Sequence, residues 1–320
     1  MLSDRRNLKA AAQDSLARAG YDPKKLMLIH TGAILLVSAV LMVVDYLLSK
    51  SIGATAGLGG LQTRAMLTTL QSVLQLVQTV ALPFWQMGCL YAALRIARGE
   101  TASPDSLLQG FRRFGSVLRL QLLSGAILLG LLIACGYAAS FLFMMTSWGK
   151  EMMAQLSVLA ESGIDLSDTE ALETIIYSAM TDYIVPVILI YCGLFLLVAV
   201  PIFFRMRFAS YIIMDGEMRA MSAIRISRQI TKGNCINLFK LDLSFWWFYA
   251  LEVLLAAMCY GDLLLSILGV SLPWSSTVSY FMCFGLYAAG QLALHYACRS
   301  QVEVTYAHAY SALKSPIQVL

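Results

Sequence analysis

The chain has 320 residues, of which 59% are hydrophobic and only 13% charged, with a mean hydropathy of +0.71 and a formal net charge of +4. A soluble domain carries about 25% charged residues, so a purely water-soluble fold is excluded and lipid must solvate much of this chain. The small positive balance is explained by anionic lipid at the membrane surface, which leaves nucleic acid unneeded as a partner.

In chain order, residues 1–25 form a polar, basic cytoplasmic segment in which Asp4–Arg18 predicts an amphipathic helix. The first apolar span is Leu26–Leu48. A cleaved signal has a core of about 7–15 residues, and this span is longer and lies behind a long polar segment. Ala54-Thr55-Ala56 has the small residues of a cleavage site, but the expectation is a flexible outer loop over Ser51–Gly60. That loop is glycine-rich without the Lys-Ser/Thr ending of a phosphate loop. The second span is Val73–Ile96, interrupted by Pro83. Asp105–Arg119 then predicts a second amphipathic helix, with Leu107, Leu108, Phe111, Phe114 and Leu118 on one side. The third span is Leu120–Met145.

An acidic connection, residues 147–182, follows. Ser167-Asp168-Thr169-Glu170 fits a capping box there, which predicts an external helical hairpin turning at Gly163. Tyr183–Phe204 is the fourth span, and Met218–Lys232 predicts a third amphipathic helix, stopped by Lys232-Gly233-Asn234. Ile236–Met258 and Thr277–Ala297 complete six spans, with 298–320 as a cytoplasmic tail. A span needs about 20 apolar residues, and each of the six meets that length. The expected fold class is all-α, a polytopic six-helix transmembrane bundle in one integral-membrane domain, 1–320. Each pair of spans is preceded by an interfacial helix, apolar face down in the headgroup plane.

All 23 lysines and arginines except Lys50, Arg64 and Lys150 fall in alternate gaps between spans or in the adjoining helix ends. Positive charge stays on the cytoplasmic side, so both termini are expected there. The cationic residues expected at lipid phosphates are Arg112, Arg113, Arg225, Arg228 and Lys232.

Ionisable residues within a span are functional candidates, because unpaired burial in lipid costs about 2.5–3.5 kcal/mol on insertion scales. Glu252 lies deep in the fifth span, about 20 Å from its cytoplasmic end at helical rise. It reads either as a proton or cation site or as a hydrogen-bonded carboxyl near the outer edge. Gln71, Gln75, Gln78 and Gln86 share a stripe of about 80° on the second span. They line a wet cavity or bond helices together at about 0.6 kcal/mol per bond. The sixth span aligns Tyr287, Gln291, His295 and Arg299, beside a ridge of Gly285, Ala289, Ala293 and Ala297. Asp242 and His295 lie at matching depths and are expected to pair if their helices are antiparallel neighbours. The candidate polar cavity is therefore Gln75, Gln78, Glu252, Gln291, His295 and Asp242. Seven cysteines form no C-x-x-C pair, and the three histidines have no metal-ligand or protease spacing. No metal, cofactor, catalytic residue or disulfide is expected.

The stretch Tyr211–Tyr249, carrying Ser227-Arg228, Lys232-Gly233-Asn234, Leu238-Phe239 and Leu243-Ser244-Phe245, resembles the bacterial membrane family catalogued as domain of unknown function 975. Thr305-Tyr306-Ala307-His308-Ala309-Tyr310 is similar to that family's closing aromatic segment. Pro201-Ile202 departs from the family's Pro-Gly, and the acidic outer loop is similar to an insertion. The resemblance implies a multi-pass protein of a bacterial plasma membrane and no activity. Two functional classes follow from the residues. The first is a non-enzymatic accessory or scaffold protein binding membrane lipids and a membrane-protein partner or second copy. The alternative is a small-molecule or lipid transporter with a polar intramembrane cavity.

Overall fold

The computed structural model describes residues 5–54, 61–161, 169–216, 218–259 and 276–314. These residues are overwhelmingly helical, with no strand among them. Apolar runs outside water must satisfy their backbone polar groups internally, and a helix does so within one segment. In chain order the helices are α1 (Arg5–Ala17), α2 (Pro23–Ala54), α3 (Leu61–Ala97), α4 (Gln109–Arg112), α5 (Phe114–Met145), α6 (Ser147–Glu161) and α7 (Thr169–Met206). There follow α8 (Ala209–Asp215), α9 (Ala220–Thr231), α10 (Cys235–Leu243), α11 (Trp246–Cys259), α12 (Ser276–Leu294), a π-helical turn at His295–Arg299, and α13 (Ser300–Lys314).

Four described helices are long and apolar enough to cross a membrane: Pro23–Ile52, Thr63–Ala97, Phe114–Met145 and Tyr183–Asp215. The pair α10–α11, bent by 65°, makes a fifth if it is one span. The expected count of six is thus reduced to four or five among the described residues. The expected sixth span, Thr277–Ala297, is not among them, and its first residue lies at the edge of the described residues.

Two compact units are distinguishable: Met1–Leu120 with Phe208–Leu320, and Gln121–Arg207. In the first, α13 is a central element. Val302, Val304, Tyr306, Ala307, Ala309, Tyr310 and Leu313 are buried, and α1, α3 and α9 pack against it. The stretch expected as a cytoplasmic tail is therefore largely a core helix, as its i, i+3, i+4 apolar spacing allows.

The expected continuous fifth span is broken between α10 and α11. The Ser244 hydroxyl donates to the Leu241 carbonyl at 2.6 Å, and the Ser244 N–H bonds back to Lys240 and Leu241. This tight turn leaves the Ser244 carbonyl outside the helical ladder, and Lys9 of α1 donates to it at 3.0 Å. The same ammonium sits 4.0 Å from the Phe245 ring centroid, a cation–π contact. Burial, with the nearby Arg5 charge, lowers the Lys9 pKa.

The interfacial helices are redirected by packing. On α9, Ala223, Ile224, Ser227 and Ile230 are buried within the unit, so this apolar face is not the one laid on lipid. Arg225, Arg228 and Lys232 remain exposed on the other side. Lys232 ends α9, and Gly233 takes φ +80°, the left-handed conformation that glycine adopts without strain. The second predicted amphipathic helix is instead a short 3-10 turn, Pro104–Leu108, followed by α4. Its rings stack: Phe84 lies 5.7 Å from Phe111 and 4.7 Å from Phe114. Arg112 is exposed. Arg113, expected at lipid phosphates, points into the protein and donates to the Ile213 (2.6 Å) and Gly216 (3.0 Å) carbonyls at the end of α8. Its charge caps carbonyls that the helix itself leaves open.

Beside that cap, the Asp215 carboxylate accepts from Arg98, Lys314 and the Tyr310 hydroxyl. Its side chain is 6% exposed, whereas those of Arg98 and Lys314 are 40% and 33% exposed. Burial, then the Asp215 charge, pushes the Tyr310 phenol upward. Asp215→Asn is expected to cost about 2 kcal/mol, less than the loss of one partner from a fully buried pair, because both cations can turn to water. Thermal unfolding in mild detergent checks this, and an unchanged midpoint would contradict the hub.

The Ser15 hydroxyl and His308 Nε2 lie 2.9 Å apart and join α1 to α13. Burial lowers the His308 pKa from 6.5. The unfolded chain then binds the proton more readily, so this group's contribution is present above about pH 6.5 and is lost as pH falls through the folded value. Acidification from pH 7.5 to 5.5 is expected to lower the unfolding temperature, and His308→Gln to reduce that drop.

The second unit is built around Phe143, Met152 and Tyr183, with Val187 and Ile190 against them. Thr146 caps α6, its hydroxyl accepting from the Gly149 N–H at 3.2 Å. Gly163 and Ser167, the expected turn and capping box of the outer hairpin, lie outside the described residues.

Candidate functional site

The first unit contains a cavity of about 690 Å³, within the range of small-molecule sites. Thr31 and Ser38 enter it from α2, Gln78 and Gln86 from α3, and Glu252 from α11. Gln291 of α12, His295 and Arg299 of the π turn, and Glu303 of α13 complete its polar lining.

Helical register explains the convergence. Thr31 and Ser38 are seven residues apart, and Gln78 and Gln86 eight, so each pair lies on one helix face. The break at Ser244 restarts the helix at Trp246. Glu252 is therefore only about 9 Å along α11, not 20 Å along an unbroken span. The π turn has wider i→i+5 bonding, a geometry concentrated at functional sites, and it carries His295 and Arg299 to the same side.

Glu252 is the centre of the network. Gln291 Nε2 donates to its Oε2 at 2.9 Å, and its Oε1 lies 2.5 Å from His295 Nε2. On the other edge of the imidazole, Nδ1 faces the Thr31 hydroxyl at 2.8 Å and Arg299 Nη1 at 3.1 Å. A guanidinium can only donate. With Arg299 donating to Nδ1, the tautomer that fits these contacts carries its proton on Nε2, and Nε2–H donates to the Glu252 carboxylate. Arg299 also lies 3.6 Å from Glu303. The Glu252 side chain is 30% exposed and that of His295 is 7% exposed, so the carboxylate is the more open of the two to the cavity.

The sequence candidates are thus divided. Gln78, Glu252, Gln291 and His295 come together on one cavity. Gln75 is not in its lining; it and Gln71 donate to Asp45 of α2, at 3.5 Å and 2.7 Å. The four-glutamine stripe therefore separates into a pair bonding α3 to α2 and a pair, Gln78 and Gln86, at the cavity. Asp242, expected to meet His295, accepts from the Tyr306 hydroxyl, and His295 takes Glu252 as its carboxylate. The change of partner follows from the break, which turns Asp242 off the α11 axis. Thr31, Arg299 and Glu303 were not in the expected cavity.

No family model, curated protein or solved structure matches the chain. The site must therefore speak through its own chemistry. Among the described residues no group of histidine, cysteine and carboxylate side chains has metal-binding geometry. Neither of the other two histidines is in the cavity lining: His30 is fully buried 6.3 Å from the Trp85 ring, and His308 holds α1. The expected small-residue ridge on α12 faces outward, and a Cβ on Gly285 would meet nothing within 4 Å. It is Gly290 that faces α11, against Leu255.

Proposed function

We propose that the chain is a membrane carrier that binds a small molecule in the Glu252 cavity. The observation that carries this reading is a carboxylate held by two donors on the wall of a cavity large enough for a ligand, within a strongly apolar chain. A bond made only to join helices needs no adjoining volume of about 690 Å³. In this reading α12 is the sixth crossing, both termini are cytoplasmic, and the exposed Arg225, Arg228 and Lys232 meet anionic headgroups. The resemblance over Tyr211–Tyr249 supports a bacterial plasma membrane as its site.

The accessory reading keeps one specific observation in its support, the three exposed cations on one side of α9 and its end. The experiment that separates the two is purification of the full chain in mild detergent, with mass spectrometry of whatever accompanies it. A stoichiometric small molecule supports the carrier. A stoichiometric protein partner, with no small molecule, overturns it in favour of the accessory role.

A further inference from the structure

We propose that the cavity is a proton-displaceable site for an organic ammonium cation. The inference rests on the carrier reading and names its substrate class. The cavity wall contains two carboxylates, Glu252 and Glu303, and one guanidinium, Arg299. The imidazole is neutral in this arrangement, because its Nδ1 accepts from Arg299. Arg299 lies near Glu303, so one uncompensated negative charge remains at the partly exposed Glu252. Phe248, Tyr249, Phe284 and Tyr287 surround the same space. Aromatic faces beside a carboxylate recognise ammonium cations through cation–π attraction and charge. An anionic ligand would meet the excess carboxylate charge, and a wholly apolar one would leave the polar wall unpaired.

The proton enters at a defined atom. Protonation adds one N–H to His295 Nδ1 and forms an imidazolium; no other bond is made or broken. Nδ1–H can donate to the Thr31 hydroxyl, which reverses its role, but it cannot face Arg299, since both are donors. The guanidinium must leave the ring, and Glu303 is its nearest carboxylate. At the opposite edge Nε2–H···Glu252 becomes an ion pair, which neutralises the charge that an ammonium would use. One proton bound therefore opposes one cation bound, and the coupling is reciprocal. The groups around this ring are Glu252 and Tyr249 from α11, Tyr287 from α12, His30 from α2, Arg299 from its own turn and Glu303 from α13, with Cys89 of α3 against Arg299. His295 itself touches both Glu252 and Arg299.

The test is calorimetric titration of benzyltrimethylammonium, whose charge does not change with pH, into the full chain in phosphatidylcholine nanodiscs. Binding is expected at pH 8. It should weaken on acidification, by about tenfold per pH unit once the imidazole is charged, and be lost in Glu252→Gln. Imidazole ¹⁵N spectra of the unmutated chain supply a measurement independent of any variant's folding. His295, assigned by elimination with His30→Gln and His308→Gln, should show the Nε2–H tautomer at neutral pH. Binding that is insensitive to pH, or an Nδ1–H tautomer, overturns the inference. A co-purifying neutral or anionic molecule that occupies the cavity while the cation does not bind also overturns it, but leaves the carrier standing. No small-molecule occupant of any kind overturns both.

Discussion

Gly88→Ala is expected to destabilise the chain by about 3 kcal/mol or more for a single added methyl group. A Cβ at Gly88 would stand 1.8 Å from the Leu107 carbonyl oxygen and 2.5 Å from its carbon. These are backbone atoms and cannot rotate aside. The partner segment shows the reciprocal approach, for a Cβ at Gly110 would lie 1.9 Å from the Phe84 carbonyl oxygen. Two glycines on facing segments thus let α3 lie directly against the Pro104–Leu108 turn and α4. Relief requires moving α3, and α3 carries Gln78 and Gln86 to the cavity. Gly32→Ala is the matched control: nothing lies within 4 Å of its Cβ, and helix propensity there favours alanine by about 1 kcal/mol. Thermal unfolding in one detergent should give a large drop for Gly88→Ala and none for Gly32→Ala. Equal midpoints would show that this backbone contact does not exist.

Glu252→Gln is expected to weaken retention of the cavity ligand by about 100-fold or more while leaving the fold intact. Removing the charged member of a buried recognition pair costs about 2–5 kcal/mol, and each 1.4 kcal/mol is tenfold. The amide also brings a donor where only acceptors fit. His295 Nε2–H and Gln291 Nε2–H both point at this position, so the glutamine can satisfy at most one of them without a donor–donor clash. The side chain is 30% exposed, which lets the amide turn toward the cavity and limits the cost to stability. Gln78→Leu, at the cavity wall, should reduce retention more mildly. Gln75→Leu, in the Asp45 cluster, should leave it unchanged. Quantifying the ligand bound per chain in the three variants checks the order, and equal loss at Gln75 and Gln78 would contradict this placement of the cavity.

Much of the site's chemistry could be read from residue spacing alone. The four-residue steps linking Gln291, His295 and Arg299 put them on one side of a helix, and an ionisable Glu252 inside an apolar run marked itself as a candidate. The identity of the partner pairs could not be read that way. Pairing by depth assumes straight helices, and the turn at Ser244, which no proline or glycine announces, moved His295 from Asp242 to Glu252. Thr31 gave no signal, because one hydroxyl in an apolar span is commonplace. Asp45, inside the first span, was visible by the rule that found Glu252, and Glu303, outside every expected span, was not. Asp45 accounts for half of the glutamine stripe, and Glu303 sits where a cytoplasmic tail was expected. The amphipathic segments also show the limit of pattern. An apolar helix face states that something covers it, and on α9 that cover is the protein's own core in place of lipid.

The most direct measurement is cryo-electron microscopy of the full chain extracted with its native lipid and loaded into nanodiscs. The account expects density for a small molecule in the cavity, against Glu252 and among the rings of Phe248, Tyr249, Phe284 and Tyr287, with Arg299 at the far edge of His295. A cavity closed by side chains or holding only a lipid tail, together with a partner protein seated on Arg225, Arg228 and Lys232, would contradict it.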